Sequence, residues 1–158
     1  MLNKRGVSPL IATVLLISFA VALGSVVLNW GRNLDISNPA DICSGVSMKI
    51  RNIGGFETCY SGSGQNMYLQ FILDNSGSTN VDGLAIWIIG EKGTKLIDND
   101  ETAINSGQLL EIKDRKIMYD SNNYGRIKQV QFIPKVKTKD SIEICSRNSV
   151  KTDKIGAC

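Results

Sequence analysis

The side chains in this chain most open to metal or acid–base chemistry are its thiols and carboxylates. Its 158 residues include no histidine, which excludes Ser-His-Asp and Cys-His arrangements and the histidine-based zinc motifs. Four cysteines, Cys43, Cys59, Cys145 and Cys158, follow one another at gaps of 16, 86 and 13 positions. A four-thiolate zinc site brings its ligands in close pairs such as C-x2-C. This spacing lacks such pairs, so two disulfides are expected. Connectivity is not fixed by spacing, but the two short loops, Cys43–Cys59 and Cys145–Cys158, are the expected pairing. Asp98-Asn99-Asp100-Glu101 offers oxygen ligands of the kind calcium takes. It lacks the D-x-D-x-D-G spacing and distant glutamate of a calcium loop and reads as a solvated turn.

The remaining motifs are equally plain. Ser61-Gly62-Ser63-Gly64 has no Gly-Lys-Ser/Thr after it and is a flexible loop rather than a phosphate cradle. Lys135-Val136-Lys137-Thr138-Lys139 alternates like the exposed end of a strand, its charges guarding an edge. Tyr119 to Tyr124 brackets Asp120-Ser121-Asn122-Asn123; rings and amides suit a sugar, yet an Asn-rich turn before Gly125 is the simpler reading. No asparagine opens an N-x-Ser/Thr sequon, so N-glycosylation is not expected. Without a catalytic constellation the chain is not expected to be an enzyme, and no cofactor or metal is expected.

Lys plus Arg is 18 against 15 Asp plus Glu, a formal charge of +3. Lys4 and Arg5 account for two of those charges; without them the balance is +1. No nucleic-acid-binding face is implied.

The element that must position everything else comes first in the chain. No charged residue lies between Arg5 and Arg32. At about 1.5 Å per residue the 24 residues from Val7 to Trp30 make a helix of about 36 Å, enough to cross about 30 Å of hydrocarbon. Lys4 and Arg5 belong on the cytoplasmic side, which puts the C-terminal bulk outside, where disulfides persist. The run exceeds the h-region of a secretory signal peptide, and no convincing small-x-small cleavage site closes it before Trp30. Pro9 sits in the first turn, where a helix tolerates proline. Ala12, Ser18, Ala20, Ala22, Gly24 and Ser25 are small enough to let helix backbones approach closely. Trp30 and Arg32 mark the outer interface.

Residues 33–44, with Asn38-Pro39, form a linker. Beyond it the pattern turns to short apolar or alternating runs separated by Gly, Asn, Asp and Ser. Strands are expected at Val46–Ile50, Tyr68–Leu73, Leu84–Ile89, Thr94–Ile97, Leu109–Ile112, Ile127–Ile133 and Ile142–Cys145. Leu84–Ile89, apolar on both faces, is expected at the centre of a sheet. Glu91-Lys92-Gly93 makes a hairpin loop into Thr94. The expected fold class is α+β: a leader over 1–6, a hydrophobic helix over 7–32, and an Ig-like antiparallel β-sandwich, or small barrel, over 45–158.

Lys4-Arg5-Gly6 followed by Val7-Ser8-Pro9-Leu10-Ile11-Ala12-Thr13-Val14-Leu15-Leu16-Ile17 resembles the N-terminal region of archaeal type IV pilin-like proteins, the group of pilins, archaellins and archaellum accessory proteins. The resemblance covers residues 1–34. It implies a class III signal peptide, cut at Gly6–Val7 on the cytoplasmic face by a prepilin-peptidase-like aspartyl protease, with Lys4 and Arg5 as the basic pair. Bacterial pilins carry glutamate five residues into the mature chain; here that residue is Ile11, and archaeal members commonly lack the glutamate. The implied assembly residues on the helix are Pro9, Ile11, Thr13, Leu16, Phe19, Leu23, Gly24, Val27 and Trp30. The implied partners are copies of the chain in a homopolymeric filament, the protease and assembly machinery, and the membrane before assembly. The expected product is a structural subunit of an extracellular filament. The alternative is a membrane-anchored β-sandwich binding module that does not polymerise, similar to the accessory proteins.

Overall fold

The computed structural model describes residues 9–33 and 42–158, which fall in two compact units. The first holds helix α1, Pro9–Asn33. Proline at its start costs nothing, because the first N–H groups of a helix have no partner within it. Side chains 9–31 are exposed all round. The hydroxyls among them turn inward: Thr13 Oγ1 donates to the Leu10 carbonyl (2.9 Å), Ser18 Oγ to Val14 (2.8 Å) and Ser25 Oγ to Ala22 (2.8 Å). Their donors are therefore satisfied without water, as an apolar solvent requires. Pro9–Gly31 is long and apolar enough to cross a membrane.

The second unit contains eleven strands among the described residues: β1 (Met48–Arg51), β2 (Thr58–Ser61), β3 (Met67–Asn75), β4 (Gly83–Gly90), β5 (Thr94–Asn99), β6 (Leu109–Ile112), β7 (Met118–Tyr119), β8 (Ile127–Lys137), β9 (Ile142–Ile144), β10 (Val150–Thr152) and β11 (Ile155–Ala157), with a one-turn helix α2 (Ser121–Tyr124) before β8. They form two sheets. In the first, β3 is the axis: β1 and β2 pair along one side of it, with β11 beyond β2, and β6 and β7 pair along the other. In the second the order is β10-β8-β4-β5, with β9 beside the far end of β8 on the β10 side. All pairs are antiparallel except β2 with β11.

Alternation along the strands fills the space between the sheets. Leu69, Phe71 and Leu73 of β3 meet Leu84, Ile86 and Ile88 of β4 and Val130, Phe132 and Val136 of β8, all buried in one cluster. The Phe71 and Phe132 rings sit 4.5 Å apart, one from each sheet. Each such side chain contributes about 1.5–3 kcal/mol by leaving water.

The expected sandwich is present, and all seven expected strands lie within it. β2, β7, β10 and β11 are additions, two to four residues long. The hairpin loop 91–93 closes as expected, Gly90 N donating to the Gly93 carbonyl (2.8 Å). β8 runs on through Pro134 to Lys137. The Pro134 carbonyl accepts from Cys145 N (2.9 Å), so the missing N–H faces the short-strand edge and no bond to β4 is lost. β4 is internal to its sheet, but its second apolar face looks outward rather than into a second layer: Trp87 is 43% exposed there.

Candidate functional site

The expected site residues divide between the helix and the two disulfides of the domain. Gly6 and Val7 of the cleavage site, and the leader charges Lys4 and Arg5, lie outside the described residues. Pro9, Ile11, Thr13, Leu16, Phe19, Leu23, Gly24, Val27 and Trp30 all lie on α1 and are exposed. At about 100° per residue all of these except Ile11 fall within an arc of roughly 140°, and Ile11 projects from the other side. Nothing comes within 4 Å of where a Gly24 Cβ would stand. That arc is a surface on which a second helix could pack closely.

The cysteines form two disulfides, in a pairing that corrects the expected one. Cys43 joins Cys145 (Cα–Cα 5.5 Å) and Cys59 joins Cys158 (Cα–Cα 5.1 Å). Short-loop closure does not decide the pairing, because strand order does. β11 lies parallel to β2 with Gly156 opposite Cys59, which carries Cys158 to the same face. Cys145 follows β9, and the turn behind it reaches the 43–46 segment, where Asn148 Nδ2 donates to the Val46 carbonyl (2.8 Å). No cysteine is free.

The basic run and the acidic cluster, expected as an exposed strand end and a solvated turn, meet. Lys135 is not an exposed edge charge: its side chain is 5% exposed, and its ammonium is bonded to Asp98 Oδ1 and Asp100 Oδ1. The lysine starts on β8 and reaches across β4 to β5. Gly83 makes the crossing possible, since a Cβ there would stand 3.1 Å from Lys135 Cε and 3.0 Å from the Asn99 carbonyl. Burial alone would lower the lysine's pKa; the hydrogen bonds to Asp100 and Asp98 outweigh it and hold the pKa above the usual lysine value. Both carboxylates are thereby committed to an internal cation, and their outer sides are solvated, at 68% and 71% exposure. A shallow cleft of about 350 Å³ beside them is lined by Asp82, Gly83, Asp100, Lys135, Lys137 and Ile142.

The Tyr119–Tyr124 segment is a structural turn. Tyr119 is fully buried, and its hydroxyl donates to the Gly125 carbonyl (3.0 Å); burial raises its pKa. Asp120 caps α2 by accepting from Asn122 N (2.9 Å) and Asn123 Nδ2 (2.8 Å). Among the described residues no three His, Cys, Asp or Glu side chains are placed to hold a metal ion.

An apolar helix of this length suits a membrane anchor or a signal sequence, and two disulfides suit an oxidising, extracellular environment. No family model, no curated protein and no solved structure matches the chain.

Proposed function

We propose that this chain is a structural subunit of an extracellular filament of the archaeal type IV pilus kind, polymerising through its N-terminal helix. The observation that carries the proposal is α1 itself: no charge from residue 9 to residue 31, hydroxyls turned onto its own backbone, and an apolar surface on every side. Such a helix is at home first in lipid and then among copies of itself. Cleavage between Gly6 and Val7 removes Lys4 and Arg5, whose charges oppose withdrawal from the bilayer. A repeated head-to-tail contact that does not close then extends a filament, with the stapled sandwich as its coat.

Mass spectrometry of the native N-terminus, together with electron microscopy of material sheared from the cell surface, tests this. Chains beginning at Val7 and found in filaments are the expected result. Chains retaining Met1–Gly6 and confined to membranes refute it and favour the anchored binding module.

A further inference from the structure

The two outer sheet faces of the domain differ in character. That of the first sheet is mixed, carrying Lys49, Arg51, Gln70, Asp74 and Glu111, with Arg51 and Asp74 ion-paired, beside Ile72 and one open apolar side chain, Leu109 (62% exposed). That of the second carries large apolar side chains in the open: Trp87 (43% exposed), Leu96 (57%), Ile142 (51%) and Ile144 (58%). Register joins them. Trp87 is directly opposite Leu96, Ala85 is opposite Ile133, and Ile144 is opposite Lys135, one step along β8 from Ile133 on the same face. Ile142 and Ile144 at one end and Trp87 and Leu96 at the other thus mark a diagonal strip running from β9 to β5, with the buried Ile133 and Ala85 and the stem of Lys135 between them. Strand spacing and rise give it a length of about 25 Å.

Its flanks carry opposite charges. Lys151 lies on one side, opposite Gln131 on β10, and Asp98 and Asp100 lie on the other, at the end of β5. Lys135 and Lys137 stand there against Asp82, Asp98 and Asp100, which leaves that flank with one net negative charge.

We propose that this face packs on the same face of a second copy of the chain, the two related by a two-fold axis running along the strip. That operation lays strip on strip and turns each copy's Lys151 toward the other's Asp98 and Asp100. It sets the strands of the two sheets at roughly 70°, close to the orthogonal class of sheet packing. The face measures about 20 Å by 30 Å from strand spacing and rise, a footprint of the order of the roughly 800 Å² per partner in a standard interface. A two-fold contact closes on itself. It therefore makes pairs and does not itself extend a filament.

The test uses the full chain in detergent micelles with one added thiol, the native cysteines being held in disulfides. Leu96 lies on the proposed axis, so Leu96→Cys treated with a short bismaleimide should give a covalent dimer in about tenfold greater yield than Lys49→Cys on the other sheet. Lys151→Glu in the Leu96→Cys background should lower that yield about tenfold by setting like charges face to face. Should Leu96→Cys fail to fold, Thr94→Cys on the same strand serves in its place. Equal yields at 96 and 49 mean that association comes from α1 alone and overturn the proposal, as does no dimer at either position. Neither outcome bears on the processing of Gly6–Val7 or on filament formation.

Discussion

Removing the disulfides one at a time should cost less than their joint removal, by an amount that reports their interlocked pairing. Cys43–Cys145 closes a loop of 102 residues, and constraint of the unfolded chain by such a loop is worth about 4.7 kcal/mol. With that bridge in place, Cys59 and Cys158 are already connected through 16 residues to Cys43 and 13 residues from Cys145. The second bridge then closes a circuit of about 29 residues and adds only about 3.6 kcal/mol. Either pairwise Cys→Ser replacement, Cys43 with Cys145 or Cys59 with Cys158, should therefore cost about 3.6 kcal/mol, and removing all four should cost about 8. That total is of the order of the entire stability of a domain this size. Independent short loops, 43–59 and 145–158, would instead give about 3 kcal/mol each and strict additivity. Urea unfolding of the full chain in detergent, followed by the circular dichroism of the strands, measures the three costs. Strictly additive costs of about 3 kcal/mol, or a non-reducing digest that yields Cys43 joined to Cys59, would refute the reasoning.

Further expectations concern buried polar groups. Lys135→Met should cost about 1 kcal/mol, because the exposed Asp98 and Asp100 carboxylates regain water. Asp98→Asn with Asp100→Asn should cost about 3, because a buried ammonium is left without its counter-charges. The pH dependence of urea midpoints separates the two chemistries. The wild-type Lys135 pKa is raised in the folded domain, so its contribution is complete below the ordinary lysine value and is lost as pH rises through the raised one. In the double Asn variant burial alone acts, and stability should instead increase as pH rises toward that value. A Lys135→Met cost equal to or above that of the Asn pair would sink this account. Thr58 Oγ1 is buried and lacks a hydrogen-bond partner among the described residues. Thr58→Val should therefore raise stability by about 1 kcal/mol, and a fall in the urea midpoint would contradict it.

What could be read from sequence alone was whatever rests on uninterrupted apolar pattern. α1 announces itself by a charge-free run, and β3, β4 and β8 by apolar residues in short blocks bounded by turn residues. The added strands lack that signal: Thr58-Cys59-Tyr60-Ser61 and Val150-Lys151-Thr152 are strands because β3 and β8 offer partners, a tertiary rather than local cause. The disulfide pairing depends on β11, which was not legible, and so it was missed as well. Lys135 misled because a lysine in an alternating basic run ordinarily faces water. Its burial requires Gly83 on one neighbouring strand and two aspartates at the end of the next. The exposed face of β4 had been legible as composition but not as geometry. Leu84–Ile89 is apolar throughout, and a strand may be so because both faces are covered or because one awaits a partner.

The interlocked bridges also settle how far the domain can lengthen under load. Pulled between Cys43 and its last residue, an uncrosslinked chain of 115 residues would pay out about 400 Å. The shortest covalent route here passes from Cys43 through its bridge to Cys145 and then along 13 residues to Cys158, about 45 Å at full stretch. The parallel route through Cys59 is 16 residues. Every strand from β3 to β9 lies in the segment between Cys59 and Cys145, off both routes, so tension entering from the helix side and leaving by the C-terminus bypasses the core. Mechanically the domain is a short link: β1, β2, β10 and β11 lie on the loaded routes, and the strands between Cys59 and Cys145 are shielded by them.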